Sequence, residues 1–261
     1  MIFGKTLVIT GAASGIGRRA AELAAQLGGE VIGVDVNEPS PGIGRFVAGD
    51  LSTPDGVAAL AAALPGRIDA LLNVAGLSGN RGAAATLSVN FYGLRALTYA
   101  LAPKIREGGA VVNVASIAGY GWRQNLNRVI AMEDVYGFPD MGELIAEFAV
   151  RDAECYPLSK ELLILWTQRA AFHSQFRDRG IRVNVVSPGP VETPILTQFR
   201  QVLGDAKVDS DISRVGRAGT AQDIAPAMLF LCSDAARWIN GINLPVDGGL
   251  EAAINAEALG F

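Results

Sequence analysis

The run Tyr156-Pro157-Leu158-Ser159-Lys160 places a phenol and an ammonium four residues apart, which is one face of a helix. With five tyrosines and four lysines in 261 residues, only about 0.08 such pairs are expected by chance. A Tyr–Lys pair at a helix start is more commonly a surface contact than a catalytic unit, so its chemistry decides its interest. A free phenol titrates near about 10, too high to serve as a base at neutral pH. An ammonium at ~4 Å in an effective dielectric of ~20 contributes on the order of 4 kcal/mol, an upper figure of about three pKa units before desolvation is subtracted. The pair is thus expected to form a general acid/base.

A second group of residues has phosphate chemistry. Thr10-Gly11-Ala12-Ala13-Ser14-Gly15-Ile16-Gly17 closes a strand-like segment and opens a helical one. Glycines there let the backbone turn tightly, and the free N–H groups of the helix start face a pyrophosphate; Gly11, Ser14, Gly15, Ile16 and Gly17 are the candidate contacts. Asp35 ends the second strand, where a carboxylate accepts both ribose hydroxyls of an adenosine and repels a 2′-phosphate. NAD is therefore expected over NADP, with Arg18 the residue that can upset the preference. The alternative for Asp35 is a strand-end cap. Asp50 and Leu51 follow a short strand and are candidates for the adenine. Asn73, Ala75 and Gly76 end a further strand where small residues admit a cofactor.

These residues need elements to hold them. Apolar, β-rich runs at 6–10, 31–35, 68–74, 111–116, 183–187 and 242–246 alternate with helical periodicity over 15–27, 55–64, 87–105, 156–176 and 221–232. Continuous apolar strands separated by helices predict an α/β fold: one Rossmann-type, doubly wound parallel sheet of about seven strands with helices on both faces. No composition break marks a linker, so residues 1–261 are expected to form one dinucleotide-binding and catalytic domain. The stretch 119–154 breaks the alternation. Leu126, Val129 and Ile130, then Met141, Leu144, Ile145 and Phe148, suggest two short amphipathic helices. From Arg123 to Glu154 there are three basic and seven acidic residues, a balance equal to the whole net charge of −4. Such an insertion is a solvated cap on the core, a lid over substrate or a subunit contact.

Composition excludes several classes. Half of the residues are apolar and 18% are charged, which is globular rather than disordered. The four lysines, Lys5, Lys104, Lys160 and Lys207, form no basic stripe for nucleic acid. Two cysteines, Cys155 and Cys232, and one histidine, His173, predict reduced, packed thiols and no metal site. No apolar run is long enough for a membrane span and no secretory signal is visible, so a cytoplasmic location is expected.

Taken together, the glycine turn, Asn73-Val74-Ala75-Gly76, Asn90, Ser116, the Tyr156/Lys160 pair and Ser187-Pro188-Gly189-Pro190-Val191-Glu192-Thr193 resemble the motif set of the short-chain dehydrogenase/reductase family, in order along nearly the whole chain. The resemblance implies an NAD-dependent oxidoreductase interconverting an alcohol and a carbonyl compound. By it, Tyr156 is the acid/base, Ser116 holds the substrate oxygen, Lys160 binds the nicotinamide ribose and tunes Tyr156, Asn90 supports a water-linked proton path, and Val191 and Thr193 hold the carboxamide and phosphates. Ser116 and Tyr156 lie 40 positions apart, farther than in most members. That insertion resembles a branch acting on 3α-hydroxysteroids and carbonyl compounds, in which subunit packing is altered. Stretches 89–95, 155–161, 187–196 and 237–250 are similar to bacterial members that oxidise coniferyl-type aromatic alcohols. The resemblance implies a small-molecule substrate and a homo-oligomer, dimer or tetramer. Trp122, Tyr136, Phe138, Leu196 and Phe199 are candidates for an aromatic-lined pocket. The steroid-type substrate and a non-catalytic NAD sensor are the rival readings.

Overall fold

Leu7 and Ile9 pack into one apolar cluster and Val8 into another, so the first strand buries both faces, as a central parallel strand must. The same division recurs at Val111 and Val112. In the computed structural model, which describes residues 2–40 and 42–260, the strands are β1 (Thr6–Thr10), β2 (Glu30–Asp35), β3 (Arg45–Ala48), β4 (Ile68–Asn73), β5 (Ile105–Val114), β6 (Arg182–Pro188), the two-residue β7 (Val191–Glu192) and β8 (Gly219–Thr220), and β9 (Asn243–Val246). Seven form one sheet in the order β3-β2-β1-β4-β5-β6-β9, with every pairing parallel. The order reverses between β1 and β4, the switch point at which a doubly wound sheet opens a crevice.

The helices are α1 (Gly15–Gln26), α2 (Pro54–Ala63), α3 (Gly82–Leu87), α4 (Leu94–Leu101), α5 (Leu126–Glu133), α6 (Met141–Glu147), α7 (Cys155–Ala170), α8 (Ser174–Arg177), α9 (Pro194–Leu203), α10 (Asp205–Val215), α11 (Ala221–Cys232) and α12 (Leu250–Leu259). The buried residues of α1 and α11 belong to one cluster and those of α2, α4 and α7 to the other, one on each face of the sheet.

Three expectations are corrected. The helix expected over 87–105 is broken: α3 passes into a π-helical turn over Ser88–Gly93 before α4 begins. A Cβ on Gly93 would lie 1.9 Å from the carbonyl oxygen of Leu51, so this turn runs where only a glycine fits. β5 starts at Ile105, because Ile105 pairs with Ile68 and a register shift between Ile68 and Ala70 absorbs the intervening glycines. The expected helix over 156–176 ends at Ala170, and the Nδ1 of His173 accepts from the N–H of Gln175 at the start of α8. Cys155 and Cys232 are buried free thiols. Among the described residues no helix is long and apolar enough to cross a membrane, and no cluster of three His, Cys, Asp or Glu could hold a metal.

The insertion forms the two expected helices, α5 and α6, and packs on the core. Val129, Met132 and Leu144 join the cluster that holds Tyr92 and Trp166. Its anchor is Arg95, only 5% exposed. The guanidinium donates to the carbonyls of Glu133 and Val135, both at 2.6 Å, and of Gly137 at 2.7 Å, while lying 5.1 Å and 5.0 Å from the rings of Phe91 and Tyr92. Tyr92 donates its hydroxyl to the carbonyl of Met132 at 2.9 Å. At the surface, Arg169 pairs with Glu133 and Asp134, and Arg128 with Glu154. One buried cation thus serves three carbonyls of an acidic segment. Replacing Arg95 by Met takes the charged donor from these three part-buried carbonyls, at about 2–4 kcal/mol. The expected result is a melting temperature lower by about 5–10 °C and new proteolytic cuts confined to 119–154. A variant as stable and as protease-resistant as the parent would contradict the anchoring role.

Candidate active site

At the C-terminal end of β1 the chain has almost no space for side chains. A Cβ on Gly11, whose φ is +70°, would lie 2.8 Å from the amide nitrogen of Ala75, and one on Gly17 would lie 2.2 Å from the carbonyl oxygen of Gly11. Thr10 ties the same corner together, its Oγ1 accepting from the N–H groups of Val74 at 3.0 Å and Ala75 at 3.1 Å. Helix α1 begins after Ser14, which makes no side-chain cap, so the first N–H groups keep their donors for an outside acceptor. At the end of β2, Asp35 accepts from the N–H of Ala13 and of Asn37, each at 3.0 Å, and lines the same crevice. Arg18 is engaged elsewhere, with Glu22 at 2.8 Å and the carbonyl of Ser40 at 3.2 Å. Asp50 accepts from the N–H and hydroxyl of Ser52, and both Asp50 and Leu51 line the crevice.

The catalytic candidates converge despite their separation in sequence. Ser116 follows β5 and caps the turn after it, its Oγ accepting from the N–H of Ala118 at 3.1 Å. Tyr156 lies in the first turn of α7 and lines the same crevice as Ser116, whose side chain draws the phenol's pKa down. One turn on, Lys160 donates its ammonium to the carbonyl of Val114 at 3.0 Å and lies 5.5 Å from the centre of the Tyr156 ring. Both side chains are buried, and burial sets their protonation. It pushes the Tyr156 phenol up to about 12, opposed only by the Ser116 hydrogen bond, and pulls Lys160 down to about 8. This corrects the charge argument drawn from spacing alone. The ammonium is aimed at a carbonyl, and desolvation outweighs its pull on the phenol.

Asn90 sits on the π-helical turn, completely buried. Its Oδ1 accepts from the N–H of Leu77 at 2.7 Å, and its Nδ2 donates to the carbonyl of Leu77 and to the Ser159 hydroxyl, both at 3.0 Å. The side chain therefore holds the loop after β4 against α7. A Cβ on Gly76 would meet Asn90 Oδ1 at 3.3 Å and Lys160 Nζ at 3.7 Å, which makes Gly76 the floor of the site. Asn73 does not line the crevice: its amide is directed into the core.

The crevice has a volume of about 1010 Å³ and is lined by Gly11, Ser14, Gly15, Ile16, Gly17, Asp35, Ala75, Gly76, Ser116, Tyr156, Lys160, Val191 and Thr193 among others. That exceeds the space one drug-sized ligand takes up. Its outer wall comes from α9 and α10, which periodicity did not single out. Leu196 and Phe199 line it, with the Phe199 ring 4.6 Å from that of Tyr156. Ile195, Gln198 and Val208 line it as well, and the buried Ser78 donates to Gln198 Oε1 at 2.8 Å. The other pocket candidates belong elsewhere. Tyr136 is 99% exposed on the insertion, Trp122 is packed in the core beneath Arg123 and Phe138 is partly buried against the core. None of them lines the crevice, because the insertion packs on α4 and α7 and not over the strand ends. The lid reading of the insertion is thereby set aside.

Comparison with known proteins agrees with this geometry. A family model described as short chain dehydrogenase matches residues 5–127, and one described as enoyl-(acyl carrier protein) reductase matches residues 141–251. The chain is 40% identical over 246 residues to a coniferyl-alcohol dehydrogenase of a Pseudomonas species, covering 94% of this chain and 96% of that one. It is 28% identical to a 3-alpha-hydroxysteroid dehydrogenase/carbonyl reductase of Comamonas testosteroni, over 95% of this chain and 97% of the relative. Among solved structures, the 3-alpha-hydroxysteroid dehydrogenase of Pseudomonas sp. B-0831, complexed with NADH, superposes with a TM-score of 0.80 at 32% identity, covering 97% and 99% of the two chains. With a crevice at the switch point and Ser116, Tyr156 and Lys160 gathered in it, the chain belongs to the short-chain dehydrogenase/reductase family of oxidoreductases.

Proposed function

We propose that this protein is an NAD-dependent alcohol dehydrogenase that interconverts an aromatic, coniferyl-type allylic alcohol and its aldehyde. The observation that carries the reading is the convergence of Ser116, Tyr156 and Lys160 on one crevice, the buried lysine held by the Val114 carbonyl, beside a glycine-tight turn. The residues fit a dinucleotide: Gly11 and Gly17 leave the backbone bare, the α1 N-terminus faces outward, and Asp35 stands where a ribose diol would be read. When bound, the oxidised coenzyme supplies the hydride acceptor together with a positive charge.

A substrate oxygen entering between Ser116 and Tyr156 is held by two hydroxyls. In carbonyl reduction the neutral Tyr156 phenol, held protonated by burial, delivers its proton to that oxygen. In alcohol oxidation Tyr156 Oη must first be made to give up that proton, and Lys160, cationic below about pH 8, is the chain's own contribution to stabilising the phenolate. Asn90 acts through structure, fixing the loop after β4 against α7. The substrate class is supported by the apolar wall of Leu196 and Phe199 and by the likeness to a coniferyl-alcohol dehydrogenase. The likeness to hydroxysteroid enzymes supports a second reading with a bulkier secondary alcohol.

Three measurements check this. NADH absorbance on mixing the protein and NAD with cinnamyl-type alcohols and with 3-hydroxysteroids should rise for the former. Tyr156→Phe should then lower turnover by about a thousandfold while NAD affinity changes by no more than about twofold; substantial residual turnover would remove Tyr156 from its role. Asp35→Ala should cut the preference for NAD over NADP by about tenfold or more, and an unchanged ratio would mean that Asp35 only caps the strand.

A further inference from the structure

A single thread of buried hydrogen bonds crosses the apolar layer beneath the active site. Thr98 on α4 donates to the carbonyl of Leu94 at 2.8 Å and accepts from Asn73 Nδ2 at 2.9 Å. The same Nδ2 donates to Asn113 Oδ1 at 2.9 Å across the β4–β5 pair, in which Asn73 and Asn113 are register partners. Asn113 Nδ2 donates to Thr167 Oγ1 at 2.9 Å, and Thr167 donates to the carbonyl of Leu163 at 2.7 Å on α7. All four side chains are fully buried. One acceptor, Asn73 Oδ1, has no hydrogen-bond partner among the described residues. Burying four polar groups at such cost amid leucines and valines calls for a return beyond stability.

The four elements so joined carry the chemistry. Asn73 lies three residues before Gly76, Asn113 three before Ser116, and Thr167 seven after Lys160, while α4 continues the π-helical turn that bears Asn90. Leu162, Leu163 and Trp166 of α7 pack in the apolar cluster on this face of the sheet. Apolar packing resists separation but is non-directional and tolerates sliding along the helix axis. Hydrogen bonds resist sliding. Lys160 to Val114 and Thr167 to Asn113 are two directional ties between α7 and β5, about two turns apart on the helix.

We propose that Asn73, Asn113, Thr98 and Thr167 are positioning residues, which set the axial register of α7 on β5 so that the Tyr156 hydroxyl meets Ser116. The proposal rests on the functional reading only for what the site does. Displacements of about 1 Å at a reacting group can cost a hundredfold in rate, and the nearby Ser116 side chain is what opposes the upward pull of burial on Tyr156.

The test is Thr167→Val, close to isosteric, beside Thr167→Ser, which keeps the hydroxyl, and Thr98→Val at the far end of the thread. Tyrosine ionisation is followed by NMR of ring-labelled protein with saturating NAD, the Tyr156 signal being assigned from Tyr156→Phe. Thr167→Val and Thr98→Val should raise the pH at which Tyr156 ionises by about half a unit and lower turnover by about tenfold, with NAD affinity within about twofold. Thr167→Ser should behave as the parent. A valine variant that only melts earlier, with Tyr156 ionising as in the parent, would overturn the proposal, as would a serine variant indistinguishable from valine. Should Thr167→Val not fold, Thr98→Val decides alone by the same criteria. The titration needs no substrate, so a parent protein inactive on every alcohol offered would sink the functional reading and leave this test intact.

Discussion

The structure is organised around the burial of one phenol and one ammonium beside each other. Tyr156 and Lys160 are both buried, and burial drives each toward its neutral form, the phenol up to about 12 and the amine down to about 8. A buried lysine without a carboxylate costs free energy. The chain offsets part of that cost with the Val114 carbonyl and leaves the rest for a ligand to recover. The free site is therefore poised as a proton donor, and its conversion to an acceptor depends on added positive charge. The glycine turn, the Asp35 corner and the Tyr156/Lys160 pair all lie in one crevice.

Everything that positions the pair follows from the parallel sheet. Its strand ends converge where the order reverses between β1 and β4, and bare glycine backbone at Gly11 and Gly17 lets the crevice narrow to ligand dimensions. The insertion that separates Ser116 from Tyr156 in sequence does not separate them in space. Arg95 draws three of its carbonyls onto α4, and the apolar side chains of α5 and α6 finish the core on that side. The family resemblance and the 40% identity to a coniferyl-alcohol dehydrogenase are consistent with this arrangement along the whole chain.

Much of this was legible in the residues. Strands buried on both faces give continuous apolar runs, so most of them and their parallel pairing could be read directly, the early start of β5 excepted, and the glycine turn, Asp35 and the Tyr156/Lys160 spacing pointed to one crevice. What was not legible is instructive. The break in the helix over 88–93 depends on Gly93 passing the Leu51 carbonyl, a contact 42 positions apart that no local pattern encodes. Trp122 and Tyr136 looked like pocket residues because they are aromatic and near Ser116 in sequence; one is core and the other solvent-exposed. Leu196 and Phe199 were expected in the pocket and line it, but the helices α9 and α10 that carry its outer wall were not singled out, although the spacing of Ile195, Phe199 and Val202 carried a signal. The protonation balance at Tyr156 could not be read from spacing, since desolvation depends on what covers a group.

The most direct measurement is the ionisation of Tyr156 itself, followed by NMR of ring-labelled tyrosine in the coenzyme-free protein. The account predicts a neutral phenol up to at least about pH 10, with ionisation moving to lower pH once oxidised coenzyme is added. A phenolate already present near pH 7 in the free protein would contradict it, because burial would then not be the force that sets the proton on this site.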